Sequence, residues 1–188
     1  MTSFSVGVPR TVEPLILPTG YRATISSLTA DAKPLLEAAM LRLSPESSRR
    51  RFFTPRFRLS ERELAFLTSP DGIRHYALGV CGRADDGTVE GIATARFVRL
   101  KDEPSTAEIA LTVIDPFQRM GIGKALLVRL VRAAALRGIE RLRALILPDN
   151  APVIALISKY TPTVRFTYDG ELVRADIPLA RYALSAAA

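Results

Sequence analysis

With 188 residues, the chain has room for one domain with a sizeable core and is short for two. Hydrophobic residues make up 48% and charged residues 24%, a balance ordinary for a soluble globular domain, and no apolar run approaches the roughly 20 residues that span a bilayer. The formal charge of +7 favours polyanionic partners, whether nucleic acid or a phosphorylated cofactor, while a single cysteine and a single histidine exclude an internal disulfide and a Cys/His zinc cage.

Met1 to Gly20 holds three prolines and little periodicity, and reads as an arm leading into one domain over 21–188. It lacks a charged start followed by an apolar stretch, so it does not read as a secretory signal. Tyr21 to Leu28 alternates as a strand would. Thr29 reads as an N-cap, with a helix to about Leu43 on the spacing of Leu35, Leu36, Ala39 and Met40. Ser44-Pro-Glu-Ser opens another helical turn. Ser60-Glu-Arg-Glu63 is a capping box that starts a short helix ending near Thr68. Arg49-Arg50-Arg51 between them reads first as a solvated helix face, with phosphate or acceptor contact as the other reading. Three strands follow as a meander: Ile73 to Arg83, Thr88 to Leu100 and Thr106 to Ile114. Cys81 lies in an apolar run and reads as core filler; a lone thiol without an export signal suits a reducing cytosol. His75, at the start of that strand, reads as a strand-end residue before it reads as a ligand contact. Gly121 to Arg137 is a long helix stopped by Gly138. Arg141 to Leu147 is a strand, Asn150 caps a helix over 151–160, and a last hairpin turns at Asp169-Gly170. The order predicts an α/β (α+β) fold: a mixed, mostly antiparallel sheet of about seven strands with helices on both faces.

The segment Val113-Ile-Asp-Pro-Phe-Gln-Arg-Met-Gly-Ile-Gly-Lys124 joins a strand to the long helix. Gly121 and Gly123 let the backbone turn tightly and let a bulky anion approach. The N–H groups from Arg119 to Lys124 then face outward at the helix start, where the dipole favours negative charge. Arg119 and Lys124 add positive charge. A P-loop fits poorly, with Gln118 at its first glycine and Ala125 at its hydroxyl; a dinucleotide fingerprint fails at Leu126. A plain tight turn is the remaining structural alternative.

With its Gln118-x-x-Gly121-x-Gly123 pattern, the chain resembles the GNAT acetyltransferase superfamily over roughly Tyr21 to Leu179. Asn150 matches the position where that superfamily often opens its next helix. Leu43-Ser-Pro-Glu-Ser-Ser-Arg-Arg-Arg-Phe-Phe53, with Leu59 to Leu64, further resembles the acetyltransferase domain of bacterial Pat-type protein lysine acetyltransferases. The resemblance implies acetyl-CoA as cosubstrate, with no metal. It implies pyrophosphate held by Gln118, Arg119, Met120, Gly121, Ile122, Gly123 and Lys124, and pantetheine beside Leu111, Thr112, Val113 and Asn150, in a gap between two parallel strands. The implied acceptor is a primary amine, on a protein lysine or a small molecule.

Acetyl transfer needs the amine neutral, and a lysine ammonium titrates near 10.4, so a general base near the thioester would help. Glu108 stands in the otherwise apolar Ala107-Glu-Ile-Ala-Leu111 strand, where desolvation would raise its pKa. It also matches the Ala-Glu strand motif of the Pat-type enzymes. By resemblance the general acid would be a tyrosine on the helix after Asn150. The usual register gives Ile157, so Tyr160, Ser158 or an unassisted thiolate remains. A catalytically inactive acyl-CoA sensor or scaffold is the alternative function. Nucleic-acid binding rests on charge alone, without a basic stripe interleaved with aromatics. No membrane partner is expected, and the last hairpin offers strand edges for a homodimer.

Overall fold

A computed structural model describes residues 12–56, 58–180 and 182. The chain opens with β1 (Val12–Ile16), paired antiparallel with β2 (Arg22–Ser27). The sequence reads residues 1–20 as an arm leading into the domain; within it the structure has a strand at Val12–Ile16 that the sequence reading does not name. Pro14 is tolerated because β1 is the outermost strand of the sheet, where a missing N–H leaves no ladder bond unmade.

Three short helices follow: α1 (Lys33–Met40), α2 (Pro45–Phe52) and α3 (Glu61–Thr68). Thr29 makes no side-chain cap; the chain takes a 3-10 turn over Ala30–Ala32 first. Ser44 does cap α2, accepting from Ser47 N at 3.1 Å. The capping box at α3 is present in full, with Ser60 Oγ accepting from Glu63 N and Glu63 Oε2 accepting from Ser60 N at 2.8 Å.

The meander is β3 (His75–Arg83), β4 (Val89–Arg99) and β5 (Thr106–Val113). Then come α4 (Ile122–Ala135), β6 (Arg141–Ile146), α5 (Ala151–Tyr160), β7 (Arg165–Tyr168) and β8 (Val173–Pro178). The eight strands form one sheet in the order β1-β2-β3-β4-β5-β6-β8-β7, one strand more than expected. Every neighbouring pair is antiparallel except β5 with β6.

Register sorts the residues between two faces. Tyr76, Leu78 and Val80 oppose Phe97, Ala95 and Ala93, and this face packs with Leu126, Leu130 and Ala134 of α4 in the main core. Each large side chain fully buried there contributes about 1.5–3 kcal/mol. The opposite face carries Thr94 and Arg96 beside Thr112 and Ala110, and lies under α1, α2 and α3. Among the described residues no helix is long and apolar enough to cross a membrane.

Candidate active site

The parallel pair β5 and β6 is bonded only at its start. Thr106, Ala107 and Glu108 register with Arg141, Leu142 and Arg143, and no further pairs follow. Beyond Glu108 each strand stays with its outer neighbour: β5 follows β4 as far as Val113, and β6 follows β8 as far as Ile146. The two therefore splay. Alternate N–H and C=O groups of Ile109–Val113 point away from β4 into this gap, where no strand takes them up. The gap holds about 80 Å³ between Ile109–Leu111 and Ala144–Ile146, with Arg50, Arg51 and Phe53 over it. It adjoins a larger cleft of about 360 Å³, and the two share Leu111, Asn150 and both arginines.

The far end of the cleft is the loop into α4. Its 3-10 turn, Asp115–Phe117, is closed by Gln118 N donating to Asp115 O at 3.2 Å. Arg119 and Gly121 then take left-handed backbone, with φ of 63° and 85°. The first ladder bond of α4 runs from Ala125 N to Gly121 O. The N–H groups of Ile122, Gly123 and Lys124 precede it and are not used by the helix, so they form an anion cradle. A Cβ on Gly121 would meet nothing within 4 Å, whereas one on Gly123 would sit 3.3 Å from Leu156 of α5. The first glycine serves conformation; the second serves close packing.

Of the expected site residues, Leu111, Thr112, Val113, Gln118, Arg119, Gly121, Gly123, Lys124, Asn150 and Tyr160 all line the large cleft. Met120 and Ile122 pack into the core, so only their backbone faces the cradle. The Gln118 amide is spent on bracing the loop, donating to Val113 O at 3.1 Å and Ser47 Oγ at 3.0 Å. Asn150 stands at the N-cap of α5, but its side chain makes no capping bond; its carbonyl accepts from Val153 N at 3.2 Å instead.

Glu108 lines the gap at the last bonded pair of β5 and β6. It is exposed, not buried as its apolar neighbours implied, although Arg50 and Arg51 of α2 line the same gap. Tyr160 lies at the Lys124 end of the cleft, with Lys124 Nζ 5.1 Å from its ring centroid, and does not line the gap that holds Glu108.

The arginine run is not a plain solvated face. Arg50 and Arg51 line both gap and cleft, while Arg49 pairs with Glu46 and Asp149. His75 is buried on the α1–α3 side, stacked on Phe66 with ring centroids 4.7 Å apart, away from the phosphate cradle. Burial pushes the Cys81 thiol up, which suits a half-buried filler and not a nucleophile.

Two further residues of the site, Asp115 and Ser47, carry no signal in the sequence. Asp115 accepts from Ser44 N at 2.9 Å, Ser44 Oγ at 2.7 Å and Ser47 Oγ at 2.9 Å. Burial alone would raise its pKa, but these bonds outweigh it and hold the carboxyl below the usual range. The network fastens α2 across the cleft.

Residues 39–160 match the acetyltransferase (GNAT) family. This chain belongs to that family. Over 59 residues it is 44% identical to the acetyltransferase Pat of Mycolicibacterium smegmatis, a stretch that is 31% of this chain and 18% of that protein. The match therefore spans under a fifth of that relative's length. The GNAT domain of S. lividans PAT superposes with a TM-score of 0.78 at 28% identity, covering 89% of this chain and 97% of that one. A cAMP-binding acyltransferase from Mycobacterium smegmatis gives 0.59 at 25%, over 90% of this chain and 48% of the other. A Salmonella typhimurium protein determined with its cofactor acetyl-CoA gives 0.63 at 19%, over 84% and 94%, and shares the fold.

Proposed function

We propose that this GNAT domain transfers an acetyl group from acetyl-CoA to a primary amine, with Glu108 as general base. The observation that carries the reading is the splay of β5 from β6 beyond Glu108, continuous with a cleft that ends in the N–H cradle at Arg119–Lys124. The residues present fit CoA. The cradle, Arg119 and Lys124 suit its pyrophosphate, and the unpaired edge of Ile109–Val113 offers bonding groups to the pantetheine amides. Acetyl-CoA would supply an activated thioester beside Leu111–Val113.

Glu108 then sits where the gap begins, exposed to an entering amine. It takes the proton of the attacking amine directly or through one water. N–H groups of β5 near Val113 stabilise the charge that develops on the carbonyl oxygen. The departing thiolate takes its proton from solvent, because Tyr160 lies toward Lys124 and the cradle. We assign Tyr160 to the wall of the phosphate end.

The likeness to the Pat domains supports a protein lysine as acceptor. The sparing use of cysteine supports a reducing cytoplasmic setting. The test is calorimetry with acetyl-CoA followed by thiol-release assays on lysine peptides and small amines. Saturable binding with Glu108-dependent turnover is the expected result. Saturable binding with no turnover on any amine, and no change in Glu108→Gln, would instead make the chain an acyl-CoA sensor or scaffold.

A further inference from the structure

Arg51 and Arg96 bring two guanidinium groups to one small chamber whose own walls carry no carboxylate. Arg96 projects from β4, opposite Ala110 of β5, and is only 4% exposed. Its Nη1 donates to Leu67 O at 2.7 Å and lies 3.3 Å from His75 Nε2; these contacts engage Nη1 alone. Arg51 comes down from α2 and rests on the ring of Phe52, 4.8 Å from its centroid. Both line a chamber of about 50 Å³ under α1–α3, whose other walls include Leu35, Met40 and Ile92.

The two charges feel each other. Burial, then the nearby Arg51, pushes Arg96 down to about 9, and burial pushes Arg51 down as well. Among the described residues neither makes an ion pair. Glu108 opposes the shift at Arg51 from beyond ion-pair distance, and His75, driven to about 4, is neutral near pH 7. A buried charge such as Arg96 without an ion-pair partner is costly, so folded proteins seldom keep one without a use.

Position says what the use is. Arg51 borders all three spaces: the chamber, the gap that holds Glu108, and the cofactor cleft. We infer that Arg51 and Arg96 form a binding site for a carboxylate carried by one of the two substrates. Resting on the acyltransferase reading, this narrows it to an acceptor amine that bears a carboxylate, or to an acyl chain that ends in one. The chamber, about 50 Å³, holds a few waters at most, each needing roughly 10–15 Å³, so it takes a carboxylate and short stem, not a bulky body. A guanidinium fork matches a carboxylate in two parallel hydrogen bonds.

The experiment is calorimetry on the full chain and on Arg51→Met and Arg96→Met. Acetyl-CoA and succinyl-CoA are titrated first; the acetyl-CoA-saturated protein is then titrated with propionate and with propionamide. Succinyl-CoA binding at least tenfold tighter than acetyl-CoA in the wild type, with the preference lost in the variants, supports the site and assigns it to the acyl chain. Equal binding of the two esters, with propionate bound saturably, propionamide not, and the difference lost in the variants, supports it and assigns it to the acceptor. Equal esters and no discrimination between propionate and propionamide overturn the site and leave the acyltransferase reading standing. A carboxylate preference that both variants retain also overturns it. Failure of folded wild-type protein to bind either ester overturns the acyltransferase reading, and the site with it. If Arg96→Met does not fold, because Arg96 also holds the Leu67 carbonyl, the outcome with Arg51→Met decides.

Discussion

Ser47 donates its hydroxyl to Asp115 Oδ1 at 2.9 Å and accepts from Gln118 Nε2 at 3.0 Å, so one hydroxyl ties α2 to both ends of the turn before the N–H cradle. Ser44, at the cap of α2, doubles the tie through its N–H and hydroxyl. Arg49 adds an ion pair to Asp149 across the cleft. The helix that carries Arg50 and Arg51 over the gap is thereby positioned by the same turn that launches the cradle.

Asp115→Ala removes the acceptor for three donors at once. Unmaking part-buried hydrogen bonds of this kind costs about 1–3 kcal/mol, and partial exposure places the expected loss near the lower end. For a chain of this size that is a fall in Tm of roughly 2–4 °C. Acetyl-CoA affinity should fall about tenfold, because α2 no longer holds its place over the cleft. The carboxyl titrates below its usual 3.8 in the folded state, so its contribution is present above that value and is lost as pH falls through the lower folded one. The stability gap between wild type and variant should therefore close in acid; a gap that persists in denaturant melts at the lowest pH would count against the network.

Glu108→Gln should separate chemistry from binding. The side chain is exposed, so stability should stay within about 0.5 kcal/mol of the wild type. Loss of a general base should lower kcat/KM for the amine by about 10²–10⁴, with the acetyl-CoA Kd unchanged. Steady-state kinetics as a function of pH checks this. A variant whose rate recovers fully at high pH, where the amine is already neutral, would confirm that the proton is what Glu108 handles; an unaltered rate at neutral pH would remove it from the mechanism.

Gly121→Glu attacks the cradle. The residue has φ of 85°, so any side chain costs about 1–2 kcal/mol of backbone strain. A Cβ there meets open space, so the fold survives. The carboxylate then competes at the cradle, and acetyl-CoA binding should drop beyond detection by calorimetry. Gly121→Ala carries the strain without the charge and should retain binding within about tenfold; equal loss in both variants would mean that strain, not charge, is responsible.

Much of this architecture is legible in local chemistry. The Ser60–Glu63 capping box, the Gly121 turn and the long amphipathic α4 each follow from neighbouring residues, and the structure has them. The edge strand Val12–Ile16 is hidden because Pro14 argues against a strand unless the strand is known to be outermost. Asp115 is hidden for another reason: its partners Ser44 and Ser47 lie 71 and 68 residues away. Arg51 and Arg96 cannot be paired from sequence, since only the meeting of α2 with β4 brings them together. The exposure of Glu108 is hidden too, because an apolar strand implies cover on both sides and the folded chain leaves this side chain exposed.

His75 supplies a pH test that is independent of activity. Burial, and then the charge of Arg96, push its pKa from 6.5 to about 4, against a smaller opposing pull from Asp71. Phe66 stacks on its ring, and the backbone N–H of His75 is held by Asp71 at 2.8 Å. The folded state thus takes up its proton later than the unfolded state does. Stability from this residue is complete above 6.5 and is lost as pH falls toward 4, because the unfolded chain binds the proton first. His75→Gln keeps a polar group beside Arg96 and cannot titrate. Thermal melts of both proteins across that window should show the wild type losing Tm faster than the variant, with the curves parallel above 6.5. Parallel curves throughout would mean that the ring accepts its proton in place, and that the chamber beside Arg96 is wetter than its apolar walls imply.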